Sequence, residues 1–177
     1  FYKNTVKGKA AQGGSTITQQ LAKNLFFSFE KSYERKLKEL LMAFQIESTF
    51  SKQEILEAYA NQVYFGKGAY GIKRASYVYF GKNPSELSLF QSAVLAAIPK
   101  SPNKVNPINN KEASVHRASY VLQRMVAEGY ISEAERAEAL KSELNLRTAN
   151  TKQNPDSYFV DYVLNEMEEM YEKDFIH

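Results

Sequence analysis

The sequence predicts a mainly α-helical fold, and three observations lead to this prediction. Apolar residues recur at helical spacing along most of the 177-residue chain, and no alternating pattern of useful strand length interrupts them. Serine and threonine are repeatedly followed three residues later by glutamate or glutamine, which is the spacing of a helix capping box. Glycine and proline stand between the periodic segments, where they indicate loops.

Four capping-box pairs predict where helices begin. In chain order they are Thr16 with Gln19, Ser51 with Glu54, Ser88 with Gln91, and Ser132 with Glu135. The first follows a chain break at Gly13-Gly14 and opens a helix expected at about 16–26. The second pair opens a helix that runs to about residue 61. The third pair opens a helix that ends before Pro99, and the fourth pair opens the helix that follows Gly129.

The remaining elements follow from periodicity and from breaker residues. Helices are expected at 32–50, from the glycine-rich loop at 66–71 to Gly81, at 112–128 and at 158–171. Gly129 is the expected C-cap of the helix at 112–128. Residues 99–110, rich in proline and asparagine, predict an ordered loop, and residues 145–156 predict a polar linker.

Composition excludes several classes of function. The net charge of +3 is too small for a nucleic-acid-binding protein, but it suits an anionic substrate or an anionic membrane surface. The absence of cysteine rules out disulfides and thiolate metal sites, and only His116 and His177 could supply imidazole to a metal. No apolar run approaches the roughly 20 residues that a membrane span needs. Because residues 1–9 carry no start signal, we expect the sequence to be part of a longer chain.

The first predicted helix separates polar from apolar side chains. Its polar side carries Thr16, Gln20 and Lys23, with Asn24 beside them. The simpler interpretation is an amphipathic helix whose polar side faces solvent. The alternative is a phosphate site, because backbone N–H groups at a helix start, the hydroxyls of Ser15 and Thr16 and one lysine can together hold a phosphate.

The second predicted helix is apolar almost all round, which predicts burial. One apolar stripe consists of Tyr33, Leu37, Leu40, Leu41 and Phe44, and a second of Met42, Ala43 and Ile46. Charged residues Arg35, Lys36 and Glu39 lie on and beside the second stripe, where burial is costly unless the charges are paired or used. Two interpretations stay open: a partly buried ion pair between Arg35 and Glu39, or a cleft that needs a carboxylate flanked by cations.

Several segments match a known family. Gly-Gly-Ser-Thr-Ile-Thr-Gln-Gln-Leu-Ala-Lys-Asn at 13–24 resembles the second motif of glycosyltransferase family 51, the peptidoglycan polymerases. Arg35-Lys36-x-x-Glu39 resembles the third motif, and Lys52-x-x-Ile55-Leu56-Glu57-x-Tyr59-x-Asn61 resembles the fourth. His116-Arg117-x-x-x-Val121-Leu122-x-x-Met125 is similar to the fifth in degraded form. Four ordered motifs are far more specific than one motif alone.

The resemblance implies a lysozyme-like fold with a larger helical lobe, a smaller lobe that touches the membrane, and a cleft between them. It implies an enzyme of a class A penicillin-binding protein or a monofunctional transglycosylase, which polymerises lipid II into β-1,4 glycan strands with inversion and releases undecaprenyl diphosphate. The expected partners are lipid II, the growing glycan strand and the membrane surface, at the extracytoplasmic face of the cell membrane, and not nucleic acid. The resemblance implies no certain cofactor, and it leaves the use of a divalent cation open.

The resemblance also implies roles for individual residues. Glu39 is similar to the second catalytic glutamate of the family, and Arg35 and Lys36 to the cations beside it. The residues expected to line the donor site are Ser15, Thr16, Gln20, Lys23 and Asn24. Tyr59 and Asn61 are expected to support the fold near the cleft, and no residue is expected to bind a metal.

The chain departs from the family pattern at its first motif. In the family this motif contains Glu-Asp and supplies the general base. No segment before Gln12 in this chain resembles it. We therefore expect residues 1–144 to form a glycosyltransferase domain that lacks the first motif and is inactive by itself, and residues 145–177 to lead toward a transpeptidase domain. Two rival hypotheses remain: a non-catalytic module that binds lipid-linked sugar or a partner, and a lysozyme-like glycan hydrolase.

Overall fold

The computed structural model of the protein describes residues 15–26 and 32–147. Within these ranges the secondary structure consists of helices and one isolated antiparallel bridge, between Tyr64 and Tyr70, which confirms the mainly α prediction. The chain divides into two units between Leu146 and Arg147, and the architecture described below belongs to the first. The predicted helix at 158–171 and most of the predicted linker lie outside the described residues. Residues 1–14, where the sequence shows no first motif, also lie outside them.

The described part of the chain contains eight α-helices and two 3-10 helices. The α-helices are α1 (Ile17–Phe26), α2 (Tyr33–Thr49), α3 (Lys52–Gln62), α4 (Ile72–Phe80), α5 (Leu89–Ala97), α6 (Pro102–Val105), α7 (Lys111–Ala127) and α8 (Glu133–Lys141). The 3-10 helices are Pro84–Glu86 and Ile98–Lys100. The predicted loop at 99–110 is therefore partly helical, because Pro102 begins α6 at a position where the fixed φ of proline favours a helix.

The helix ends follow the capping chemistry of the sequence. The boxes that begin at Ser51, Ser88 and Ser132 are all formed, with both reciprocal hydrogen bonds present in each. At α1, the backbone N–H of Gln19 donates to Thr16 Oγ1 at 3.1 Å. Gly81 ends α4 with a left-handed φ of 66°, a conformation that glycine adopts without steric cost.

The larger hydrophobic core lies among α4, α5, α7 and α8. Its most deeply buried large side chains are Tyr79, Leu95, Ile98 and Leu122. The loop between α3 and α4 closes one side of this core, where the Tyr79 hydroxyl donates to the Phe65 carbonyl at 2.8 Å. Burial raises the pKa of the Tyr79 hydroxyl far above its usual range, so Tyr79 is a neutral hydrogen-bond donor in the core.

A second, smaller core lies among α1, α2 and α3. It consists of Leu21, Ala22, Ile46 and Ile55, with partly buried side chains packed around them. Tyr59 of α3 packs against both cores and so joins them. Two cores joined at one helix agree with the predicted division into a larger and a smaller lobe.

The prediction that α2 is buried on all sides is wrong. Its second stripe is covered, with Ala43 and Ile46 both buried. The first stripe is exposed, with exposed fractions from 46% for Leu40 to 99% for Tyr33. The reason is that α2 packs mainly against α1, which covers one side of the helix and leaves the other open. We call the exposed stripe of Tyr33, Leu37, Leu40, Leu41 and Phe44 the apolar face of α2.

No helix in the described ranges has both the length and the apolar character needed to cross a bilayer.

Candidate active site

A pocket of about 650 Å³ lies where α1, α2 and α3 of the smaller lobe meet the end of α5 in the larger lobe. Among the described residues, it is lined by Ser15, Gln19, Gln20, Lys23, Arg35, Lys36, Glu39, Tyr59, Ala96, Pro99 and Lys100. This volume lies within the range typical of pockets for small ligands. Three helices of the smaller lobe therefore contribute polar and charged side chains to the pocket. The end of α5 in the larger lobe lies opposite them.

Glu39 is the buried acid of the pocket, with only 1% of its surface exposed. Arg35 Nη1 donates to Glu39 Oε1, and Lys36 Nζ donates to Glu39 Oε2 at 2.8 Å. All three residues lie on α2, and the two cations precede the acid by four and three residues. Each carboxylate oxygen thus has its own cation, and this pairing compensates for the burial of the negative charge.

Lys36 connects α2 to the start of α1. Its ammonium group donates to Ser15 Oγ at 2.8 Å as well as to Glu39. An ammonium group has three N–H donors, and the Lys36 side chain is 49% exposed. Lys36 is therefore held in place by two oxygen atoms while its charge still faces the pocket.

A second set of contacts connects α1 to α3. The Tyr59 hydroxyl donates to Gln20 Oε1 at 3.3 Å, and Gln20 Nε2 donates to the Ser15 carbonyl at 3.4 Å. Both bonds are long, so each contributes less than the ion pairs around Glu39. Burial raises the pKa of the Tyr59 hydroxyl, which keeps it protonated and able to donate.

The structure gathers most, but not all, of the residues expected at the site. Ser15, Gln20, Lys23, Arg35, Lys36, Glu39 and Tyr59 all line the pocket. Thr16, Asn24 and Asn61 are exposed and are not among its lining residues. Thr16 instead serves as the N-cap of α1, and the backbone carbonyl of Asn61 lies against Gly71.

Four lining residues were not expected from the sequence. They are Gln19, Ala96, Pro99 and Lys100. Gln19 has a recognisable signal only as the partner of Thr16 in a capping box. Lys100 ends a 3-10 helix in a segment predicted as a loop, and it carries no local signal for a pocket. A side chain that the fold brings in from a distant part of the chain cannot be found from helical spacing.

The arrangement can bind an anion. Lys23, Arg35, Lys36 and Lys100 line the same pocket as one acid, Glu39, whose charge is balanced by Arg35 and Lys36. Cations that are fixed in a partly enclosed pocket stabilise negative charge better than mobile surface lysines do. Within residues 15–26 and 32–147, no group of three or more acidic or histidine side chains is arranged to hold a metal ion.

Comparisons with known proteins identify the family of the chain. A family model described as Transglycosylase matches residues 1–126. The chain is 49% identical over 156 residues to penicillin-binding protein 1A of Aquifex aeolicus, covering 88% of this chain and 21% of that protein. It is 42% identical over 170 residues to penicillin-binding protein 1A of Neisseria meningitidis, covering 96% of this chain and 21% of that protein. The chain thus spans about a fifth of the length of these relatives.

The fold is also similar to that of a solved structure. The crystal structure of penicillin-binding protein 1A from Haemophilus influenzae superposes with a TM-score of 0.54 at 33% sequence identity. The superposition covers 88% of this chain and 20% of that protein. This likeness confirms the lysozyme-like helical fold that the resemblance implied.

Proposed function

The chain belongs to the transglycosylase family, and on that premise we propose that it is the peptidoglycan glycosyltransferase domain of a longer penicillin-binding protein. The observation that carries the proposal is that three cations, Lys23, Arg35 and Lys36, line one pocket with Glu39. A glycan hydrolase on a similar fold would also use carboxylates, but it has no need for a cluster of cations.

The proposed donor is lipid II, whose diphosphate is held by Lys23, Arg35, Lys36 and the start of α1 at Ser15. As the bond from the sugar C1 to the diphosphate breaks, negative charge grows on the departing oxygen atoms. Fixed cations stabilise this charge more strongly in the transition state than in the ground state, which lowers the barrier. Thr16 and Asn24 have no part in this proposal, because they do not line the pocket.

We assign Glu39 a role in holding the cations. Both of its carboxylate oxygens accept hydrogen bonds from cationic side chains, so neither is well placed to take a proton from the acceptor hydroxyl. A general base must reach that hydroxyl within hydrogen-bond distance. The upstream glutamate implied by the family resemblance is the better candidate for this base.

The proposed location is the extracytoplasmic face of the cell membrane, where lipid II is embedded. The apolar face of α2 supports contact with the membrane, since exposed side chains of this size are costly in water and gain free energy in an acyl layer. The length of the relatives supports further domains in the full-length protein, among which we expect a transpeptidase.

The test is polymerisation of purified lipid II by the full-length protein that contains this sequence. We expect glycan strands and free undecaprenyl diphosphate, and we expect Glu39→Gln to lower the rate by about 100-fold or more, because loss of the carboxylate releases both cations from position. Glu138→Gln, which changes an exposed acid on α8 outside the family motifs, is the matched control and should retain the rate.

Other outcomes would support the rivals. Release of soluble sugars from mature glycan would indicate a hydrolase. Binding of a lipid II analogue by the full-length protein without any turnover would indicate a binding module. Full polymerase activity in Glu39→Gln would refute the role given to Glu39.

A further inference from the structure

We propose that Thr18 and Glu47 are positioning residues for this reaction, which act by fixing α1 on α2 in the orientation that the pocket requires. The inference rests on the proposed function. It concerns a contact outside the pocket, since neither residue is among the lining residues.

The contact is one hydrogen bond between residues that are far apart in sequence. Thr18 Oγ1 donates to Glu47 Oε1 at 2.6 Å. This distance is typical of a hydroxyl bonded to a carboxylate, which is about twice as strong as a bond between neutral groups. Only 6% of the Thr18 surface is exposed, so little water competes for its hydroxyl, while Glu47 is an exposed residue whose carboxylate also meets solvent.

The two helices that this bond joins carry most of the polar pocket. Ser15, Gln19, Gln20 and Lys23 lie on α1 or at its start, while Arg35, Lys36 and Glu39 lie on α2. The side chains of α1 and those of α2 can contact the same ligand only if α1 keeps its angle to α2 and its position along α2.

Two hydrogen bonds between described residues help to hold that angle. The first is the bond from Lys36 to Ser15 at the start of α1, and the second is the bond from Thr18 to Glu47. Lys36 and Glu47 lie about three helical turns apart on α2, whereas Ser15 and Thr18 lie within about one turn of each other at the start of α1. Two bonds from the start of α1 to different turns of α2 restrict the pivoting of α1 more than either bond would alone.

The apolar contacts between these helices are less able to set the angle. They involve Leu21 and Ala22 against Ile46, and hydrophobic contact is non-directional. The bond from Tyr59 to Gln20 joins α1 to α3 and not to α2, and at 3.3 Å between neutral groups it is a weak bond. Thr18 and Glu47 therefore form a directional contact between α1 and α2 outside the pocket.

The variants separate positioning from simple stabilisation. Thr18→Val keeps the shape of the side chain and removes the donor, whereas Thr18→Ser keeps the donor. Thr49→Val is the matched control, because Thr49 is exposed and its hydroxyl donates to the Gln45 carbonyl within its own helix. Each variant is assayed in the full-length protein at a temperature where circular dichroism shows it fully folded.

We expect Thr18→Val to lower kcat for lipid II polymerisation about tenfold, with a smaller change in KM, because misplacing fixed charges weakens transition-state binding most. Thr18→Ser should stay within about twofold of the wild type, since it still donates to Glu47. Thr49→Val should match the wild type. A role in stability alone would leave kcat unchanged in every folded variant.

A double-mutant cycle then tests the pair. Glu47→Leu removes the acceptor, and combining it with Thr18→Val should cost little more than either change alone, since both remove the same bond. Fully additive losses in kcat would overturn the pairing. If Thr18→Val does not fold, the comparison of Glu47→Gln, which keeps an acceptor oxygen, with Glu47→Leu decides the question: equal kcat values would overturn the inference.

The outcomes also separate this inference from the proposed function. A wild-type protein that does not polymerise lipid II overturns the proposed function together with this inference. A wild-type protein that polymerises lipid II, with a Thr18→Val variant of unchanged kcat, overturns this inference alone.

Discussion

At the scale of single residues, the central feature is a carboxylate that is buried and yet fully paired. Removing one partner of a buried ion pair leaves an uncompensated charge, so Glu39 and Arg35 depend on one another for stability. Arg35 also has a buried Nε that lacks a hydrogen-bond partner within the described residues. The side chains of Arg35 and Glu39 therefore hold their charges in a fixed arrangement at some cost to the stability of the fold. Such an arrangement is expected of a functional site.

Lys100 gives a prediction for a residue that the sequence did not indicate. Because Lys100 lines the pocket from the larger lobe, Lys100→Met should lower kcat/KM for lipid II by about tenfold, corresponding to about 1.4 kcal/mol of lost charge interaction. Lys104→Met is the matched control, since Lys104 is exposed, lies nearby on α6 and is not among the lining residues. Equal kcat/KM values in the two variants would exclude a role for Lys100.

Gly71 gives a prediction about stability. Its φ is 80°, and a Cβ at this position would lie 2.5 Å from the Asn61 carbonyl oxygen. Gly71→Ala should therefore lower the free energy of unfolding by about 3 kcal/mol, through backbone strain and steric overlap together. Gly68 has a φ of 72° and open space around it. Gly68→Ala should therefore lower the free energy of unfolding only through backbone strain, by about 1 kcal/mol. Chemical denaturation measures both, and similar losses would contradict the role of the close contact.

At the scale of elements, helix α2 shows how one helix can serve two purposes. Its side toward α1 carries the buried Glu39, Ala43 and Ile46, while its apolar face is exposed. Apolar residues on both sides would predict burial in an ordinary soluble domain. Here they are consistent with a helix that supports the pocket on one side and meets a lipid layer on the other.

The capping box of α3 gives a prediction about protonation. The Ser51 hydroxyl and backbone N–H donate to Glu54 Oε2 at 2.7 and 2.8 Å, and these bonds lower the pKa of Glu54 below its ordinary value of 4.5. Ser51→Ala should raise this pKa, because the hydroxyl bond is the larger of the two causes. An NMR titration of the glutamate carboxyls measures the change.

The same box fixes the sign of a stability effect. Because folding lowers the pKa of Glu54, its contribution to stability is present above pH 4.5 and is lost as the pH falls through the lower folded value. The destabilisation caused by Ser51→Ala should therefore be larger at pH 7 than in acid. The pKa of Glu135, lowered by the equivalent box at Ser132, should not respond to Ser51→Ala and serves as the internal control.

At the scale of the whole molecule, a positive net charge of +3 accompanies an apolar face on the smaller lobe. Both features favour binding to an anionic membrane. Leu41→Ser combined with Phe44→Ser should weaken co-sedimentation with anionic phospholipid vesicles by at least about tenfold, since each buried CH₂ contributes about 0.8 kcal/mol.

The thermal stability of that double variant should stay close to that of the wild type, because both side chains are exposed. Ile108→Ser is the control for loss of an exposed apolar side chain on the larger lobe. Vesicle binding that falls equally in the control would show that the apolar face has no special role.

Much of the fold could be predicted because its signals are local. The N-caps at Ser51, Ser88 and Ser132 determine where helices begin, since each satisfies backbone groups within one turn. The ion pair between Arg35 and Glu39 was one of two interpretations left open, and the structure forms it inside the pocket. Spacing on one helix suffices to bring these two side chains together.

The sequence by itself thus determined the helices, the family and the charged group on α2. Only the tertiary structure decided which side of α2 is covered, that Lys100 joins the pocket, and that Thr16 and Asn24 do not. The physical reason is that helical periodicity specifies directions around one axis, whereas a pocket depends on the angle and distance between axes. These are set by packing between residues far apart in the chain, such as Thr18 and Glu47.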